Sequence, residues 1–212
     1  MKTRLYRLLK ENRGLLVFIA LMLVFRSAIA DWNEVPTGSM KPTILAGDRI
    51  WVNKMAYDIR VPFTHISLVK RSDPRRGDIV VFDSKVSDKR LVKRVIGLPG
   101  DVIGMRNNVL SVNGRAVDYE QISSTDRMER LPGAQHRVRT QASSSPLSSF
   151  RSVTVPAQHY LVLGDNRDNS SDSRVIGFIP RHEIVGRTRH VVLSFNYDNF
   201  YIPRSDRFLH TL

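Results

Sequence analysis

The sequence predicts an all-β body. Three observations point there: short runs rich in β-branched residues bounded by Gly, Pro or Asp; an Asn113-Gly114 pair between two apolar stretches; and no amphipathic helical period of useful length beyond residue 31. The runs at 49–53, 78–82, 91–96 and 160–163 read as strands, as does the long stretch 183–195. Residues 109–117, with Asn113-Gly114 at their centre, read as a tight hairpin. In a strand, Lys93 and Arg94 face opposite sides, so only one of them can point into any one site.

A chain of 212 residues accommodates one domain of ordinary size, or one domain carrying an insertion. The segment 105–153 has the character of such an insertion. It is polar and rich in Arg and Ser, and its loose stretch 141–149 is expected to be a mobile loop. The aromatic and then basic stretch 196–203 is expected to pack on the body.

The formal charge of +13 points to an anionic partner, either nucleic acid or a lipid surface. No zinc-finger spacing, helix-turn-helix pattern or aromatic-basic RNA signature is present, which argues against nucleic acid. Anionic lipid fits better, because the same chain carries an apolar segment near its start. With no Cys there are no disulfides, no thiolate nucleophile and no thiolate metal site. The acidic loop 165–172 lacks the downstream Glu and flanking helices of an EF-hand, and no His/Asp/Glu spacing suits a metal, so no metal or cofactor is expected.

At the amino terminus, Lys2, Arg4, Arg7, Lys10 and Arg13 stand against one acid, Glu11. An apolar run at 15–25 follows, then Arg26-Ser27-Ala28-Ile29-Ala30. One reading is a cleavable signal peptide cut after Ala30. The other is a membrane anchor over 14–30, whose 17 residues are the lower limit for a crossing. The basic flank places the N-terminus in the cytoplasm under both readings.

Three blocks carry chemistry. Ser39 lies in Pro36-Thr37-Gly38-Ser39-Met40-Lys41-Pro42-Thr43. Lys93 follows 54 residues later in a box running to Asp101, and the third block spans 164–174. A serine hydroxyl needs a base to take its proton before it can attack a carbonyl. A neutral lysine can be that base if apolar neighbours depress its pKa, and Leu91, Val92, Val95 and Ile96 are suitable walls. Gly164, Asp165 and Asn166, after a strand, look like a turn where backbone approaches backbone. None of His65, His136, His159, His182, His190 and His210 lies in a block matching a known Ser-His arrangement.

Together the three blocks resemble the boxes of the bacterial type I signal peptidases, membrane-anchored serine proteases that remove signal peptides from exported proteins. The resemblance covers 14–104 and 155–195. It implies a signal-peptidase-like catalytic β-fold over 31–104 and 154–212, with a small inserted β-subdomain over 105–153. A basic cytoplasmic segment, 1–13, and one transmembrane helix, 14–30, precede it. The anchor is the preferred reading here, because tethering raises local concentration for substrates that are themselves in the membrane.

The resemblance further implies Ser39 as nucleophile and Lys93 as general base, with the Thr37 hydroxyl and the Ser39 N–H as oxyanion hole. Ser170 would hold the lysine, and Asp172 and Arg174 would form an ion pair beside the site. Expected partners are preprotein signal peptides, cut after small residues at the first and third positions before the scissile bond. The expected location is the bacterial inner membrane, single-pass, with the catalytic domain on the outer, periplasmic side. Longer family members have two membrane segments, whereas this chain offers a single candidate. Two alternatives stay open: a specialised pilin-maturation or conjugative-transfer peptidase of the same family, and an inactive relative that binds signal peptides.

Overall fold

A computed structural model describes residues 10–64, 66–141 and 145–212. Lys2, Arg4, Arg7 and His65 lie outside these, as do residues 142–144 of the expected mobile loop. The described chain opens with helix α1 (Arg13–Ala28) and continues through β1 (Ala30–Glu34), β2 (Asp48–Asn53), β3 (Asp58–Arg60), β4 (Ser67–Lys70), β5 (Ile79–Ser84) and β6 (Lys89–Gly97). A middle group follows: β7 (Val102–Arg106), β8 (Val109–Val112), β9 (Arg115–Ala116), β10 (Asp118–Gln121), β11 (Asp126–Leu131), β12 (Ala134–Arg139) and β13 (Phe150–Thr154). The chain closes with β14 (His159–Leu163), a one-turn helix α2 (Ser173–Ile176), β15 (Ile179–Pro180), β16 (Ile184–Asn196), β17 (Ile202–Pro203) and β18 (His210–Thr211).

The main antiparallel sheet runs β1-β2-β16-β5-β6-β14-β15, with β17 and β18 pairing onto β16. Within it, β5 and β14 carry short unbroken apolar runs, at 79–82 and 160–163, because both their faces are buried. In β5, Ile79 and Val81 enter one core cluster with Ile44, Ile50 and Val52, while Val80 and Phe82 enter another with Tyr160, Val162 and Ile184. In β14, Tyr160 and Val162 join that second cluster, while Leu161 and Leu163 face a third. The third cluster also takes Ile103, Met105, Leu110, Val112 and Leu131 from the middle strands. The middle segment therefore shares a core with the main sheet.

That segment forms two small sheets, β13-β7-β8-β9 and β10-β11-β12. The predicted hairpin at 109–117 corresponds to β8 and β9, with Asn113 and Gly114 both at positive φ. Strands β7 and β13 straddle the expected insertion boundaries at 104/105 and 153/154. Within 141–149, Ser145 accepts a hydrogen bond from the Leu147 N–H (3.2 Å) and starts a short 3-10 turn, Pro146–Ser148.

Helix α1 has 16 residues, none of them buried, and its apolar side chains are exposed on all sides. At about 1.5 Å per residue it is roughly 24 Å long, short of a hydrocarbon core of about 30 Å. Among the described residues, no helix is long and apolar enough to cross a membrane. The helix stops at Ala28, before the expected end at residue 30, because Ala30 already pairs with Asn53 as the first residue of β1. Lys54 Nζ donates to the terminal carbonyls of Arg26 (2.6 Å) and Ser27 (3.3 Å) and so closes the helix end. The C-terminal stretch is held by Arg207, which grips Asp48 through two bonds (3.0 and 2.6 Å). Phe200 and Tyr201 project into solvent rather than packing on the body.

Candidate active site

The segment between β1 and β2 carries Ser39. Met40 and Ile44 are buried in the core, and the Ile44 N–H donates to the Met40 carbonyl (2.9 Å), so the turn after the serine is pinned from below. Ser39 itself is half-buried and Thr37 is exposed. Among the described residues, neither the Ser39 N–H nor the Thr37 hydroxyl has a hydrogen-bond partner, so both donors are free to meet an incoming oxygen.

Strand β6 brings Lys93 across to the serine: Lys93 Nζ lies 2.7 Å from Ser39 Oγ and donates to the Val92 carbonyl at 3.1 Å. Lys93 is only 3% exposed. That burial disfavours the ammonium form and pulls its pKa down to about 8, while the carboxylates of Asp172 and Asp165 oppose the shift. The 2.7 Å contact serves either proton state. With the amine neutral, the serine hydroxyl can donate to its lone pair.

Arg94, next along the strand, turns the other way but is also buried. It forks onto Asp165 through Nε (2.9 Å) and Nη2 (2.7 Å), and the Asp165 carboxylate also accepts from Thr43 Oγ1 (2.5 Å). Burial alone would raise the Asp165 pKa, but the adjacent Arg94 charge holds it below the usual carboxylate range.

The loop after β14 closes the site. Asn166 donates from its N–H to the Ser39 carbonyl (3.0 Å) and from Nδ2 to the Gly38 carbonyl (3.0 Å). Gly164 is required by space: a Cβ there would collide with the Ser170 hydroxyl and lie 2.5 Å from the Ser39 carbonyl oxygen. Asp172 accepts from the Gly164 N–H (2.9 Å) and pairs with Arg174 through Nε (2.8 Å) and Nη2 (2.7 Å). Ser170 is buried beside Gly164, yet its hydroxyl has no hydrogen-bond partner. The Ser170–Lys93 bond implied by the resemblance is thus absent from this geometry, in which the Lys93 amine meets Ser39 and Val92 instead.

Sequence reasoning missed the groups beneath this loop. Arg167, fully buried, makes a two-pronged contact with Glu129 of β11 (2.6 and 2.7 Å), and the Tyr119 hydroxyl donates to the same carboxylate (2.5 Å). His136 of β12 lies 3.3 Å from Glu129 and 3.7 Å from Asp165. Burial lowers its pKa to about 4, so the ring is neutral at ordinary pH. Neither ring nitrogen of His136 bonds to a serine. Among the described residues, no group of His, Asp and Glu could hold a metal ion.

A family model described as "Signal peptidase, peptidase S26" matches residues 9–193. The chain is 36% identical to signal peptidase I of Pseudomonas aeruginosa, over 89% of this chain and 73% of the relative. It is 32% identical to signal peptidase I S of Bacillus subtilis, over 89% and 91% respectively. A signal peptidase I crystal structure from Enterococcus faecalis aligns with 30% identity and a TM-score of 0.38, covering 55% of this chain and 97% of that one.

Proposed function

The chain belongs to the signal peptidase family, peptidase S26, and on that premise we propose that it is a serine endopeptidase removing signal peptides from exported preproteins, with Ser39 as nucleophile and Lys93 as general base. The observation that carries the assignment of roles is the 2.7 Å contact between Ser39 Oγ and a buried lysine whose pKa falls to about 8.

In this reading the neutral Lys93 amine takes the Ser39 proton as Oγ attacks the scissile carbonyl. The oxyanion that forms meets the Ser39 N–H and the Thr37 hydroxyl, both without competing partners. Lys93, now ammonium, passes the proton to the departing amine, and the acyl-serine remains. Water, deprotonated by the same lysine, releases the acid and restores both side chains. Ser170, buried with an unpartnered hydroxyl, is the group assigned in this reading to hold the lysine. Asp165 and Asp172 set the field around the amine, and Asn166 fixes the carbonyls on either side of the nucleophile's own amide.

Helix α1 serves in this reading as the anchor of a single-pass protein, with the catalytic body on the periplasmic side; local thinning of the bilayer and the reach of Arg13 and Arg26 to the headgroups would make up its shortfall in length. Two features support it. The helix is apolar on every side without burying a residue, which suits lipid better than water. Cleavage after Ala30 is disfavoured because Ala30 is 3% exposed and held in β1; a protease would have to strip the strand from the sheet to reach that bond. The catalytic body over 31–104 and 154–212 carries the chemistry, and 105–153 is its inserted part.

The test is cleavage of a purified preprotein in detergent by wild type, Ser39→Ala and Lys93→Met, matched for folding by circular dichroism. Each substitution is expected to lower kcat by on the order of 10³-fold or more. Cleavage should follow a small-x-small sequence. Equal cleavage by all three proteins would show the pair to be misassigned.

A further inference from the structure

The loop 165–167 is gripped from two sides. On one side Asn166 holds the carbonyls of Gly38 and Ser39, and Asp165 is forked by Arg94, the neighbour of Lys93. On the other side lies the inserted sheet. The Arg139 N–H donates to the Asp165 carbonyl (2.8 Å) and the Arg167 N–H donates to the Arg139 carbonyl (2.9 Å), so one residue of β12 is stitched to the loop by two backbone bonds. Beneath them, Arg167 and Glu129 form a two-pronged ion pair with neither side chain exposed. Glu129 stands opposite His136 in the β11–β12 register, and both face the loop.

A fully buried ion pair is a poor stabiliser, because removing two charges from water offsets most of their attraction; apolar residues of similar volume often serve stability as well or better. What the pair does supply is a fixed orientation: a guanidinium held by two parallel bonds to a carboxylate has little freedom to tilt. We propose that Glu129 is a positioning residue for the Ser39/Lys93 reaction, acting through Arg167 to hold loop 165–167 and through Asn166 to set the nucleophile turn. The inserted sheet is then part of the catalytic apparatus. This inference rests on the Ser39/Lys93 reading.

The test separates positioning from stability. Replacing both partners, Glu129→Leu with Arg167→Met, removes the charges together and leaves no unpaired ion in the core. Because the Tyr119 hydroxyl and the Gly164 carbonyl also lose a partner, the double variant should melt somewhat below wild type yet stay folded at the assay temperature, while kcat for preprotein cleavage falls by about 10²-fold, the scale expected for a displacement of about 1 Å, with KM within about threefold. Arg167→Lys keeps the charge but not the fork; its kcat should lie between those of wild type and the double variant, and if the double variant melts below the assay temperature, wild-type kcat in a folded Arg167→Lys overturns the brace. Wild-type kcat in a folded double variant, with Lys93→Met inactive, overturns the brace and leaves the Ser/Lys reading standing. Full activity of Lys93→Met overturns both.

Discussion

Lys93, the proposed base, is a group whose placement runs against stability. Burying an amine is unfavourable to the fold while it is charged, yet the same burial lowers its pKa to about 8 and makes it a usable base. The neighbouring Arg94 shows why spacing alone could not settle the pair. A solvated Lys-Arg dipeptide on an edge strand would look the same in sequence, whereas here both side chains are buried on opposite faces, each with its own partner. Gly164 carries a sharper consequence. Gly164→Ala would force its methyl group against Ser170 and the Ser39 carbonyl, so it should destabilise the fold by about 1–3 kcal/mol. It should also lower kcat by roughly 10²-fold. Thermal melts and steady-state kinetics check both; a variant with unchanged kcat would mean the turn absorbs the methyl elsewhere. The short-range blocks around Ser39, Lys93 and Asp172 were legible because each reads as a contiguous motif. Glu129 and Arg167 were not, since they lie 38 residues apart and neither sits in a pattern that names the other.

At the level of elements, the strands that sequence reveals best are those buried on both faces, where β-branched residues run without interruption, as in β5 and β14. The middle strands are harder to see. In β11 and β12 the buried positions include Glu129 and His136 alongside Leu131 and Val138, so alternation of apolar and polar residues does not mark the inner face. Short strands such as β15 and β18 arise from pairing with residues far along the chain and leave no local signal. Helix α1 poses the opposite case. Its apolar run is plain in sequence, but its end is fixed by tertiary structure, where β1 begins at Ala30 and Lys54 closes the last carbonyls. As the proposed anchor, it should keep the full-length chain in membranes through a carbonate wash. Release of a soluble chain starting at Asp31 would identify the segment as a cleaved leader.

Across the whole molecule, a net charge of +13 and an exposed apolar helix fit the proposed place of the body against an anionic bilayer. The sheet supplies Lys93 and Arg94, the segment between β1 and β2 supplies Ser39, and the loop after β14 joins the two to the inserted sheet. In the proposed mechanism the reacting form of this assembly is the one with Lys93 neutral. Below its pKa the amine is protonated and cannot accept the serine proton, so activity is expected to grow as pH rises. The most direct test of the account is therefore kcat/KM for preprotein cleavage as a function of pH in detergent. The account predicts a tenfold rise per pH unit at low pH, turning to a plateau through an inflection near 8. An inflection near 6.5, the ordinary histidine value, would assign the base to another residue and contradict it.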